Sequence, residues 1–148
     1  MTVQLALYKG KGQIGNAAIR TWTGSIYSHC ELVVDGWCYS SSVMDGGVRR
    51  KRIDLDNGNW DLIPVPWVDG AQVVEYFHAT DHLGYGWPSL IANQVFNRNQ
   101  IFNGAPFCSE WCGAAMKLPC PRIFNPHTLG EVARFVGEQR FGMGLMAC

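Results

Sequence analysis

Tyr27-Ser28-His29-Cys30-Glu31-Leu32-Val33-Val34-Asp35-Gly36-Trp37-Cys38-Tyr39-Ser40-Ser41-Ser42 decides the fold of this chain. Two runs of strand-forming residues flank Asp35-Gly36, a dipeptide suited to a two-residue turn because both turn positions need positive φ. Ser28 to Val34 and Trp37 to Ser42 are therefore predicted as the two strands of an antiparallel hairpin. Such a turn pairs Val34 with Trp37, and so Glu31 with Ser40. Successive strand residues point to opposite faces. His29, Glu31 and Val33 then share one face, and Cys30, Leu32 and Val34 share the other.

Working outward, Val3 to Tyr8 reads as a first strand bounded by Gly10 and Gly12. Gly15 to Trp22 reads as a short helix ended by Gly24. Val48 to Leu55 and Trp60 to Val65 are further strands, the second closed by Pro64 and Pro66. The second half changes character. Val73, Val74 and Phe77 have helical spacing, which predicts a helix over Gly70 to Thr80. Pro88 to Asn97 and Phe107 to Lys117 follow as helices, the latter stopped by Pro119 and Pro121. A last helix, Thr128 to Gln139, carries capping-box spacing at Thr128 and Glu131. Strands first and helices afterwards indicate the α+β class, with a small antiparallel sheet packed against helices.

The 148 residues fit one domain, 1–148, with no internal repeat or linker. Apolar residues make up 47% and charged residues 16%, enough to build a core and too little charge for disorder. Twelve basic residues balance twelve acidic ones, so net charge gives no argument for nucleic acid. The local exception, Arg49-Arg50-Lys51-Arg52, reads as a solvated edge. No run approaches the ~18 apolar residues of a membrane-spanning helix, so an integral membrane protein is not expected. Met1 to Gly10 places Lys9 after its apolar run, unlike a secretory signal. A cytoplasmic protein with reduced cysteines is the expectation, and no structural disulfide network.

Cys108 opens a predicted helix. A thiol there meets the positive end of the helix dipole and free backbone N–H groups, which favour thiolate. The same N–H groups can hold the oxyanion formed when a carbonyl is attacked. His29, on a sheet face expected to be packed by this helix, is the candidate base. Glu31, two residues on along the same face, is the favoured orienter of His29. Ser40, across the hairpin, and Asp45, in the next loop, are its competitors. The catalytic set is thus Cys108, His29 and Glu31. Ser40, Tyr85, Trp87, Ser109 and Trp111 are the expected substrate-binding residues.

Tyr27 to Val34, followed by the Asp-Gly turn and Tyr39 to Ser42, resembles the histidine strand of the circularly permuted NlpC/P60 papain-like proteins. The likeness is closest to the YiiX-like branch and its phage relatives. In that group the His strand precedes the Cys helix, as His29 precedes Phe107-Cys108-Ser109-Glu110-Trp111-Cys112 here. Gly24 to His29 and Gly84-Tyr85-Gly86-Trp87 also resemble family segments. The resemblance implies a papain-like fold and Cys–His chemistry on amide, ester or thioester bonds, with no cofactor. The resemblance does not fix the substrate, since the family holds peptidoglycan peptidases and acyltransferases alike; a peptide or peptidoglycan-like substrate is the expectation, with a phage virion or host cell as a further location. Related lipid acyltransferases carry a second His where this hairpin has Ser40. An acyltransferase or thioesterase, and a binding module without turnover, are the alternatives.

Other constellations carry less. His78 and His82 have helical spacing but lack a partner ligand. Cys108, Cys112, Cys120 and His127 do not have zinc-knuckle spacing. No metal is expected, and there is no nucleotide-binding motif.

Overall fold

Asp35 and Gly36 both adopt positive φ, 49° and 78°, so the turn closes as its sequence requires. In the computed structural model, which describes residues 1–10, 25–42, 44–83 and 107–141, this hairpin lies at the centre of the sheet. Strands β1 (Val3–Tyr8), β2 (His29–Val34), β3 (Trp37–Ser42), β4 (Gly47–Lys51) and β5 (Trp60–Pro64) pair antiparallel in the order β4-β3-β2-β1-β5. The helices are α1 (Gly70–Thr80), α2 (Cys108–Ala115) and α3 (Pro126–Phe141), with a 3-10 turn at Pro121–Ile123. The chain is α+β, as read from its sequence. The expected helices at Gly15 to Trp22 and Pro88 to Asn97 lie outside the described residues.

The register gives each face its role. Val34 pairs with Trp37, as predicted. Val3, Leu5, Leu7, Cys30, Leu32, Val34 and Tyr39 form one face of the sheet and join Val73, Phe77, Cys108, Trp111, Cys112, Leu129 and Ala133 in the main core. Leu5, Leu7 and Leu32 are fully buried, each stabilising the fold by roughly 1.5–3 kcal/mol. The opposite face is thinner. There Ala6, Val33 and Cys38 are covered by Ile53, Leu55 and Trp60.

Most boundaries differ from expectation by a residue or two, and two differences have a clear cause. Strand β4 ends at Lys51, and Ile53 and Leu55 cover the second face instead of extending the strand. Helix α3 begins earlier, at Pro126. Its start is tied by Asn125, whose Oδ1 accepts from Thr128 N at 2.9 Å while Asn125 N donates to Thr128 Oγ1 at 3.0 Å. This reciprocal pair replaces the predicted Thr128–Glu131 box, and Pro126 occupies a first-turn position where its missing N–H costs nothing. Glu131 instead pairs with Arg134.

Candidate active site

Helix α2 is fixed at both ends. Ser109 Oγ donates to Phe124 O at 2.6 Å, and Arg122 Nε to Glu110 Oε1 at 3.0 Å. Trp111 Nε1 donates to Thr80 Oγ1 at 2.9 Å, and Gln72 Nε2 to Ala115 O at 2.9 Å. A Cβ at Gly113 would stand 3.2 Å from the Phe124 ring and 3.3 Å from Pro121, so glycine lets the 3-10 turn close against the helix. Phe107, buried and extended, precedes the first turn without a side-chain cap. The first-turn N–H groups beside Cys108 are therefore not taken by the residue that enters the helix.

The approach of α2 corrects one expectation. It packs on the Cys30, Leu32 and Val34 face, not on the face of His29 and Glu31. Cys108 and His29 are still coupled across that difference, His29 being the first residue of β2 and Cys108 the first of α2. Each group shifts the other's titration through charge and hydrogen bonding.

His29 and Glu31 share a face as predicted, with His29 Nε2 2.8 Å from Glu31 Oε1. Nε2 thus faces the carboxylate, which leaves Nδ1 as the ring nitrogen suited to exchange a proton with the thiol. Glu31 is completely buried, whereas the His29 side chain is 21% exposed. A buried carboxylate needs partners, and Arg49 supplies two. Arg49 Nη1 donates to Glu31 Oε2 at 2.6 Å, and Nη2 donates to Oε1. Arg49 Nε donates to Asp45 Oδ2 at 2.8 Å, and Lys51 Nζ donates to the same oxygen at 2.8 Å.

The protonation states follow from these contacts. A hydrogen bond from Cys30, then the charge and hydrogen bond of His29, outweigh burial and hold Cys108 well below the ordinary thiol range. Burial pushes the Cys30 thiol far up, so it stays neutral and can donate to Cys108. Burial opposes a charge on His29, but Cys108 and then Glu31 raise it to about 10. Burial would raise Glu31, yet Arg49 and His29 together hold it below its ordinary value. These shifts favour a thiolate–imidazolium pair backed by a carboxylate.

Three expected substrate contacts are instead internal. Ser40 is buried, and its Oγ donates to Cys30 O at 2.7 Å. It ties the hairpin and orients no histidine. Ser109 and Trp111 are buried and serve to seat α2. Asp45 holds Arg49 rather than His29. Tyr85 and Trp87 lie outside the described residues. An aromatic wall that the sequence reading missed stands elsewhere. Trp60 meets His29 edge-on with centroids 6.5 Å apart, and Tyr8 packs on Trp60 at 4.9 Å. The register carries the signal, since His29 pairs with Tyr8 and Tyr8 with Trp60 across three strands.

The weaker metal readings do not assemble. His82 lies beyond α1, whose last residue is Thr80. Cys108 and Cys112 are buried, whereas Cys120 and His127 are exposed. Among the described residues no three His, Cys, Asp or Glu side chains are grouped to hold a metal ion, and Cys30, Cys38, Cys108, Cys112 and Cys120 are free thiols. Arg49-Arg50-Lys51-Arg52 divides by strand alternation. Arg50 and Arg52 each lie 4.7 Å over the Trp37 ring, while Arg49 and Lys51 turn to the other face. Compared with known proteins, the sequence matches no protein-family model and no curated protein.

Proposed function

We propose that the chain is a cysteine hydrolase of papain-like type, related to the permuted NlpC/P60 proteins, that cleaves an amide bond in a peptide or peptidoglycan-like substrate. The observation that carries this reading is the adjacency of Cys108, His29 and Glu31 at the start of an uncapped helix. The Cys108 thiolate attacks the carbonyl carbon, and the electron pair of the C=O bond moves to oxygen. The first-turn N–H groups of α2 receive that oxyanion. His29 gives its proton to the leaving nitrogen as the C–N bond breaks, which leaves an acyl thioester on Cys108. His29 then takes a proton from water, whose oxygen attacks the thioester and releases the acid. Glu31 touches no reacting atom. It orients the ring and stabilises the imidazolium.

A peptide-like substrate is favoured over a bilayer lipid on two grounds. Ser40 stands where related lipid acyltransferases carry a second His. Trp60 and Tyr8 beside His29 add amphipathic ring surface suited to a sugar or peptide group. A panel of muropeptides, acyl-CoA esters and phospholipids, with Cys108→Ala as control, tests the reading. Release of an amine from a muropeptide by the wild type alone is the expected result. Turnover only of lipids or thioesters would replace the peptidase by an acyltransferase or thioesterase. No turnover together with an unreactive Cys108 would leave a binding module.

A further inference from the structure

We propose that Arg49 is a positioning residue of this centre, clamping Glu31 so that the carboxylate stays ionised and holds His29 for Cys108. The inference rests on the cysteine-nucleophile reading.

Arg49 comes from β4, two strands away from Glu31. It reaches across because Ser40 intervenes. Ser40 pairs with Arg49 in the β3–β4 ladder, and the Val34–Trp37 register brings Glu31 level with Ser40. The small serine leaves room for the guanidinium to pass over β3. Its planar fork engages both Glu31 oxygens, a geometry that lysine cannot reproduce. The third nitrogen, Nε, is anchored to Asp45, which Lys51 also holds. Arg49 is itself mostly covered, with 13% of its side chain exposed. A surface ion pair would not place a fully buried carboxylate between two cations.

Charge balance says what the clamp does. Thiolate, imidazolium, carboxylate and guanidinium sum to zero in a buried site. Cys38 from β3 faces Glu31, Arg49 and Lys51 as a neutral thiol. Cys30 from β2 borders the Cys108 sulfur, and Cys112 from α2 borders Cys30. Asp45 and Lys51 stand at the exposed end and offset one another. Without Arg49 the inner set carries one uncompensated negative charge and takes up a proton. On Cys108 that proton abolishes the nucleophile. On Glu31 it removes the acceptor that supports the imidazolium, and the thiol again gains the proton. Both routes move Cys108 ionisation to higher pH.

The test is the pH dependence of Cys108 alkylation by iodoacetamide, read by mass spectrometry on the full chain. Arg49→Met should raise the midpoint by about one unit or more, and Arg49→Lys by less, since it keeps the charge and loses the fork. If Arg49→Met does not fold, Glu31→Gln and Glu31→Gln/Arg49→Met remove the stranded carboxylate. Those two should differ by well under one unit, because Arg49 acts mainly through Glu31. A folded Arg49→Met with the wild-type midpoint would overturn the assignment, as would a further shift of similar size between the two Glu31→Gln forms. A wild-type midpoint in the ordinary thiol range, about 8.5, would instead sink the nucleophile reading itself.

Discussion

Glu31 Oε1 lies 2.8 Å from His29 Nε2, the two residues projecting from alternate positions of one strand, one fully buried and the other at the surface of the site. The bond fixes the ring and supports its charge. Glu31→Gln should therefore lower kcat by about 100- to 10,000-fold while the fold persists. Ser40→Ala loses the hydroxyl bond to Cys30 O and a longer one to Ser41 O. It should cost about 1 kcal/mol of stability and leave turnover nearly unchanged. Steady-state kinetics with circular dichroism on both variants decides between them. A silent Glu31→Gln beside a disabled Ser40→Ala would reverse the roles.

The same carboxylate makes the fold sensitive to acid. Glu31 is held below its unfolded value of 4.5, so the unfolded chain binds a proton there first as pH falls. Its contribution to stability is present above about pH 4.5 and is lost as pH drops through the lower folded value. Urea unfolding at pH 7 and pH 4 should show a larger drop for the wild type than for Glu31→Gln, which has no proton to bind at that position. Equal drops would mean that other groups, such as Asp45 and Asp61, carry the whole effect.

Much of this arrangement was legible in the sequence because local chemistry dictated it. Asp35-Gly36 fixed the turn and register, and strand alternation put His29 beside Glu31. Pro119 and Pro121 set an outer limit to the Cys108 helix, which stops earlier, at Ala115. What stayed hidden depended on packing between distant segments. Arg49 sits in a run of four basic residues that resembles a solvated edge, and only the sheet register turns it inward onto Glu31. Trp111 suggests a cleft residue by its nearness to the Cys108 motif, and Ser40 by its place opposite Glu31 in the hairpin, but neither position fixes how deeply a side chain is buried. Thr128 has the spacing of a cap, yet Asn125 and Pro126 provide an earlier start that the apolar spacing does not reveal.

Trp111 tests the corrected placement. It is fully buried, and its Nε1 is bonded to Thr80. Trp111→Phe should destabilise the chain by about 1–3 kcal/mol through the lost bond to Thr80, whose hydroxyl still donates to Tyr76 O, and the lost volume. The pH midpoint of Cys108 alkylation should not move. Thermal unfolding and alkylation measured on one preparation separate the two effects. A normal melting temperature with a raised KM would return Trp111 to the cleft.

Trp60 should behave in the opposite way. Its ring stands against His29 at the half-buried end of the sheet. Trp60→Ala is expected to raise KM for a responsive substrate more than it lowers kcat, since the wall contacts ground state and transition state alike. An unchanged KM would remove Trp60 from the substrate surface.

The central claim is that Cys108 is an activated thiolate paired with His29. Brief iodoacetamide treatment at about pH 6, where an ordinary thiol is almost entirely protonated, followed by peptide mass spectrometry, tests it most directly. Cys108 should be alkylated first, ahead of the exposed Cys120, and His29→Ala should abolish that preference. Labelling of Cys120 first, with Cys108 reacting only at alkaline pH and indifferent to His29→Ala, would contradict the account.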